Sequence, residues 1–137
     1  MVNVIVNGAF GKMGQEAAKA ISAATDLDLV ASLGRGDDLA AEIARLKADV
    51  VLDLTTPGAV FDNAVVIINA GARPVIGTTG LSEQEISQLT SLCETKKRGG
   101  MIVPNFAIGA VLAMRFAEIS AKYFEYAEII EMHHEEK

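Results

Sequence analysis

A doubly wound α/β fold with a parallel sheet is predicted by three observations. Five short apolar runs alternate with segments of helical periodicity, a glycine-rich turn follows the first run, and further turn residues close the later ones. Strands buried on both faces read as continuous apolar runs, and right-handed βαβ crossovers lay helices across those faces.

Residues 2–6 form the first β-branched run and end at Gly8; Met13, Ala17, Ile21 and Ala24 follow at helical spacing. Residues 27–33 make a second strand, with Leu39, Ile43 and Leu46 as the inner stripe of a second helix. Residues 50–54 give the third strand. Pro57 is placed to open the next helix, because the N–H it lacks would be unpaired there, and Gly71 to end it. Residues 74–76 are the fourth strand. Ser82-Glu83-Gln84-Glu85 fits a capping box ahead of Ile86, Leu89 and Leu92 or Cys93, and Gly99-Gly100 separates that helix from a fifth strand at 101–103. Beyond residue 106 the pattern changes. Ile108, Leu112, Phe116, Ile119 and Tyr123 predict a long helix, and residues 127–133 one more strand. The expected organisation is a first domain over 1–106 and the start of a second, α+β domain over 107–137.

Composition narrows the function. A chain of 137 residues, half of them apolar, can bury a core without disulfide or metal staples. The net charge is −6, and the longest basic run is Lys96-Lys97-Arg98, so no nucleic-acid partner is expected. Any anionic ligand must be held locally. The single cysteine, Cys93, permits no internal disulfide and reads as a structural thiol in a reducing compartment. The chain opens on a strand without a signal-peptide pattern, and its longest apolar stretch, 64–68, is far below the ~20 residues that span a bilayer. A cytoplasmic protein with no membrane role is expected.

Gly8-Ala9-Phe10-Gly11-Lys12-Met13-Gly14 follows a strand and opens a helix, which is the context a dinucleotide fingerprint requires. Glycine lets the backbone turn tightly and approach a pyrophosphate, while free N–H groups and the helix dipole favour the anion. The fold is therefore expected to be Rossmann-like. After the second strand the chain reads Ser32-Leu33-Gly34-Arg35-Gly36-Asp37-Asp38. Gly34 offers no carboxylate to the ribose of NADH, whereas Arg35, with help from Lys12, suits the 2′-phosphate of NADPH. On this reading NADPH is the preferred cofactor and NADH a possible one, with Asp37 and Asp38 counting against the preference for NADPH. Three further strand ends, Thr55-Thr56-Pro57, Gly77-Thr78-Thr79-Gly80 and Pro104-Asn105-Phe106, share the carboxyl edge. A cofactor lying there would meet Thr55, Thr78, Thr79 and Asn105 together.

The tail Glu131-Met132-His133-His134-Glu135-Glu136-Lys137 carries both histidines of the chain. Such residues transfer protons near neutral pH. In an extended segment Glu131 and His133 face one way and Met132 and His134 the other, so a metal site would lack a third ligand. A proton-transfer site and a solvated charged terminus are the readings these residues leave open.

Together the glycine turn, Gly77-Thr78-Thr79-Gly80, Pro104-Asn105-Phe106 and the His-His-x-x-Lys ending resemble dihydrodipicolinate reductase, over the whole chain. That family reduces a cyclic unsaturated dicarboxylate, 4-hydroxy-tetrahydrodipicolinate, to tetrahydrodipicolinate on the diaminopimelate route to lysine, with NADPH or NADH. The resemblance implies that Gly8, Ala9, Phe10, Gly11, Lys12 and Met13 hold the pyrophosphate and Arg35 the adenosine ribose end. It gives the nicotinamide half to Gly77, Thr78 and Thr79 with Val103, Pro104, Asn105 and Phe106. His133 would be the acid/base, His134 a substrate contact and Lys137 a proton donor. Hydride addition to a conjugated imine leaves negative charge on the ring, which a cationic Lys137 or protonated His133 neutralises by proton donation.

The chain departs from that family in two places. Gly34 replaces the acidic residue of members that use NADH well, and the Asp-Ala-Pro-Ser-Gly-Thr segment expected after Lys137, with the rest of a tetramer-forming domain, is not in the sequence. A homotetramer is expected of the full-length family. This chain is expected to be a partial enzyme that binds dinucleotide, can self-associate through its last strand, and has little reductase activity alone. The alternatives are a non-catalytic dinucleotide-binding module and another two-domain dehydrogenase of an amino-acid precursor.

Overall fold

Alternation along the central strand decides where the helices lie. In the computed structural model, which describes residues 1–130, strand β1 (Val2–Asn7) buries Val4 and Val6 on one face and Ile5 on the other. Val4 and Val6 pack with Ile21 of helix α1 (Lys12–Ala23). Ile5 packs with Val51 of β3 (Val50–Asp53), Ile43 of α2 (Leu39–Leu46) and Ile67 of α3 (Val60–Asn69). A third cluster joins Val60, Ala64 and Ile68 of α3 to Ile76 of β4 (Arg73–Ile76) and Leu89 of α4 (Glu83–Lys96).

With β2 (Leu27–Leu33) and β5 (Met101–Ile102), the strands form one parallel sheet in the order β2-β1-β3-β4-β5. The chain winds outward from β1 in one direction and then returns past it to β3. Right-handed crossovers in the two directions leave α1 on one face and α2 and α3 on the other, as in a doubly wound Rossmann-like domain. The direction reverses between β1 and β3, where Asn7 and Asp53 are register partners at the strand ends.

Three local expectations are corrected. Helix α3 begins at Val60 rather than at Pro57: Pro57 and Gly58 lie in the turn before it, whose Thr56 carbonyl accepts from the N–H groups of Ala59 and Val60. The buried stripe of α1 runs through Gly14 and Ile21, while Met13 is 51% exposed, because a close backbone approach at Gly14 sets which side of the helix turns inward. Strand β5 is only two residues long, although Val103 N–H still donates to the Ile76 carbonyl at 2.8 Å. Elsewhere the termini form as their residues dictate. Gly71 follows α3 with φ +91°, and Ser82 caps α4 in a complete capping box. Cys93 on α4 is half-buried, and burial pushes its thiol above the ordinary value.

The chain divides into two compact units, Met1–Pro104 and the residues from Asn105 onward. The second contains α5 (Ile108–Ser120) and a 3-10 turn, Ala121–Tyr123. The expected strand over 127–133 does not form in its described part, 127–130, where no neighbouring strand pairs with its backbone. Among the described residues no helix is long and apolar enough to cross a membrane.

The capping box makes a pH-dependent contribution. The Ser82 backbone N–H and then its hydroxyl donate to Glu85, holding that carboxyl below its ordinary 4.5. A folded-state value below the unfolded one stabilises the fold above the unfolded value, and the gain is lost as pH falls through the folded value. Ser82→Ala should therefore lower the melting temperature at pH 7, and the gap from the unmodified chain should narrow below pH 4.5; thermal melts across that range check it.

Candidate functional site

The glycine turn is fastened to both neighbours of β1. The N–H groups of Gly8 and Ala9 each donate to the Leu33 carbonyl at the end of β2, both at 3.0 Å. Gly8 sits at φ +82° against the end of β3, where a Cβ would run into the Leu54 carbonyl. Gly14 packs so closely on Gly8 and Ala9 that a Cβ there would strike the Gly8 carbonyl oxygen. The helix thus starts directly above the sheet edge.

That start is open to an anion. Gly11, the N-cap of α1, offers no side-chain acceptor, so no side chain satisfies the first amides of the helix. The first turn holds no acidic residue but begins with Lys12, the reverse of what the helix dipole prefers. A bound phosphate would reconcile both features. The ion pairs among the described residues are Lys19–Glu16, Arg45–Glu42 and Arg115–Glu118, so Lys12 and Arg35 have no ion-pair partner among the described residues. These residues fit a dinucleotide pyrophosphate.

Below the turn lies a buried carboxylate. Asp53, 0% exposed, closes β3. Its Oδ2 accepts from Asn7 Nδ2 and Asn63 Nδ2, each at 2.9 Å. Its Oδ1 accepts from the Thr55 hydroxyl at 2.6 Å, the Thr55 N–H at 3.2 Å and the Thr78 hydroxyl at 3.2 Å. Asn63 also donates to Thr55 Oγ1 at 3.1 Å. With both threonine protons directed inward, each hydroxyl oxygen is left to act as an acceptor toward any other group. Sequence reading did not single out Asn7, Asp53 or Asn63. The available signal was an acid ending an otherwise apolar strand, Val50-Val51-Leu52-Asp53.

A cleft of about 530 Å³ opens above this network, lined by Gly8, Phe10, Gly11, Gly34, Arg35 and Thr55 among others. Four of the expected cofactor residues, Gly8, Phe10, Gly11 and Arg35, therefore meet in one place. Ala9 instead faces the core, and Lys12 and Met13 are exposed at the start of α1. Gly77 N–H donates to the Asp53 carbonyl at 2.9 Å and Thr78 to its carboxylate, while Thr79 is exposed. The strand ends of β1, β3 and β4 are thus joined. Val103 and Pro104 end the first unit, and Asn105 and Phe106 belong to the second, where Asn105 Oδ1 accepts from Ala107 N–H at 2.8 Å. His133, His134 and Lys137 lie outside the described residues. A second cleft of similar volume, bounded by Pro74, Leu89, Cys93, Met101 and Ile102, is largely apolar and lacks a comparable polar network.

Sheet order, glycine turn and cleft at the switch point define a dinucleotide-type Rossmann domain. Residues 2–106 match the family described as dihydrodipicolinate reductase, N-terminus, and the chain belongs to that family. Among curated relatives it is 54% identical over 136 residues to 4-hydroxy-tetrahydrodipicolinate reductase of Coxiella burnetii, covering 99% of this chain and 57% of that protein. The corresponding protein of Legionella pneumophila strain Paris is 50% identical over 134 residues, covering 98% of this chain and 55% of the relative. The chain thus spans little more than half the length of these relatives. Among solved structures, dipicolinate-bound dihydrodipicolinate reductase from Paenisporosarcina sp. TG-14 superposes with a TM-score of 0.82 at 37% identity, covering 90% of this chain and 55% of that one. Biliverdin reductase from Synechocystis, at 19% identity and TM-score 0.66 over 74% of this chain and 37% of that one, shares the fold alone.

Two substitutions test this architecture. Asp53→Asn keeps the shape but replaces one acceptor oxygen with an NH2 facing the Asn7 and Asn63 amides or the Thr55 N–H, which donate and do not accept, and should cost about 1–3 kcal/mol for each buried donor left unpaired. Gly14→Ala should destabilise by about 1–3 kcal/mol, because backbone atoms stand in the way of the methyl group. Gly11→Ala, whose Cβ would sit 3.5 Å from the Gly8 carbonyl, should be tolerated. Urea unfolding of the three variants measures each effect.

Proposed function

We propose that this chain forms the cofactor-binding part of an NAD(P)H-dependent reductase. The reaction is reduction of 4-hydroxy-tetrahydrodipicolinate to tetrahydrodipicolinate on the diaminopimelate route to lysine. The observation that carries the reading is the uncapped N-terminus of α1, held over the β1/β3 switch point by Gly8 and Gly14 in a chain of this family. Free helix amides, with Lys12 and Arg35 outside every ion pair among the described residues, give a net acidic chain a local place for a polyanionic cofactor.

NADPH is the preferred cofactor. Gly34 presents no carboxylate to the ribose, and Arg35 lines the same cleft. The two acids that count against this reading have local work. Asp37 Oδ2 accepts from Gly34 N–H at 2.7 Å and Asp38 Oδ1 from Ala41 N–H at 3.0 Å, closing the turn and capping α2.

A bound nicotinamide dinucleotide supplies the hydride. The backbone from Gly8 to Met13 holds the pyrophosphate and Arg35 the 2′-phosphate. Gly77, Thr78 and Thr79, with Val103, Pro104, Asn105 and Phe106, border the nicotinamide half. His133 and Lys137 deliver the proton that balances hydride addition, and His134 contacts a substrate carboxylate. The family resemblance supports these last roles, together with a homotetrameric assembly and a cytoplasmic location.

Fluorescence titration of the chain with NADPH and NADH in parallel tests the cofactor reading. NADPH should bind more tightly. Arg35→Ala should weaken NADPH by about tenfold or more, the worth of a hydrogen bond to a charged group, and leave NADH nearly unchanged. Failure of the unmodified chain to bind either cofactor would refute the assignment.

A further inference from the structure

Position 34 directly follows β2, where a dinucleotide domain ordinarily carries the acid that reads the ribose. Gly34 is not among the glycines with positive φ, so its backbone would accept a side chain. A neighbour keeps it bare. A Cβ at position 34 would lie 2.7 Å from Cδ2 and 2.8 Å from Cε2 of Phe10, a ring carried by the glycine turn. Phe10 is 68% exposed and lines the same cleft as Gly34 and Arg35.

We propose that Phe10 and Gly34 form one coupled determinant of cofactor choice. The ring occupies the volume that a strand-end carboxylate would enter, so an acid at position 34 and the present position of the ring exclude each other. With the ring in place, position 34 itself offers no acceptor to the ribose hydroxyls and no charge against a 2′-phosphate held by Arg35; Asp37, which also lines the cleft, is engaged by the Gly34 N–H at 2.7 Å. Selection against the unphosphorylated ribose then comes from loss of its acceptor, and selection for the phosphorylated one from the cation. The inference rests on the dinucleotide reading above and adds that position 10 controls what position 34 can do.

The ring is an exposed side chain rather than backbone, so it can be displaced without unfolding the turn. That makes a double-mutant cycle informative. Dissociation constants for NADPH and NADH are measured by fluorescence titration on the unmodified chain, Phe10→Ala, Gly34→Glu and the double variant, with circular dichroism melts confirming each fold. Phe10→Ala should weaken both cofactors together and leave their ratio within about threefold. Gly34→Glu alone should move the ratio toward NADH only modestly, because the glutamate competes with the ring. In the double variant the carboxylate takes the vacated volume, and the ratio should move toward NADH at least tenfold beyond the product of the single effects. A double variant whose ratio equals that product within twofold would overturn the coupling while leaving the dinucleotide site intact. An unmodified chain that binds neither cofactor would overturn the site itself. If Gly34→Glu fails to fold, the same cycle with the shorter Gly34→Asp decides by the same criterion.

Discussion

The carboxylate of Asp53 is the group on which the sheet edge depends. Removing a carboxylate from water costs several kcal/mol unless the protein replaces its hydration. Here five donor contacts do so, from Asn7 at the end of β1, both the N–H and the hydroxyl of Thr55, Asn63 on α3, and Thr78 after β4. Moving any one of these segments away would leave the buried anion short of a partner. The strand ends around the switch point are therefore held in one arrangement before any ligand arrives.

The glycine turn inherits its position from that arrangement. Gly8 leans on the backbone of Leu54 and Thr55, the two residues after Asp53, and its N–H is tied to Leu33 of β2. Gly14 then brings α1 down onto the turn, which aims the uncapped helix N-terminus over the sheet edge. Pre-organised amides lose little freedom when an anion binds, which is what a phosphate site requires. A larger residue at Gly8 or Gly14 would break this chain of contacts at backbone atoms that cannot step aside.

Charge and shape divide the work of recognition. A chain with net charge −6 does not attract a polyanion by its overall field, so local cations and helix amides must do so. Lys12 stands at the dipole end that disfavours it, and Arg35 follows the second strand without an ion-pair partner among the described residues. Phe10 and Gly34 add a steric element between them: apolar surface where an acceptor would otherwise sit. The two kinds of element meet in one cleft because the β1 turn and the end of β2 are bonded through Leu33.

Local chemistry makes much of this molecule legible in its sequence. Apolar runs, helical spacing, the Ser82–Glu85 box and the glycine turn specify elements through neighbours a few residues apart, and the β1 to β5 alternation implies the parallel sheet. Arg35 and the missing acid at Gly34 could also be read directly. Partners separated by tens of residues could not. Asn7 and Asp53 lie 46 positions apart and Thr78 another 25 beyond Asp53, and nothing within each strand announces that they share one carboxylate. Met13 fitted an apolar stripe as well as Gly14 did, until backbone packing at Gly14 turned it outward. Phe10 and Gly34 likewise looked independent until the fold stacked one on the other. By itself the sequence determined the elements, the glycine turn and the family signature, because these depend on short-range propensity and spacing. Only the tertiary structure decided which side chains converge on Asp53 and which ring covers Gly34, because burial and steric exclusion act between residues that the chain brings together only when the sheet has formed.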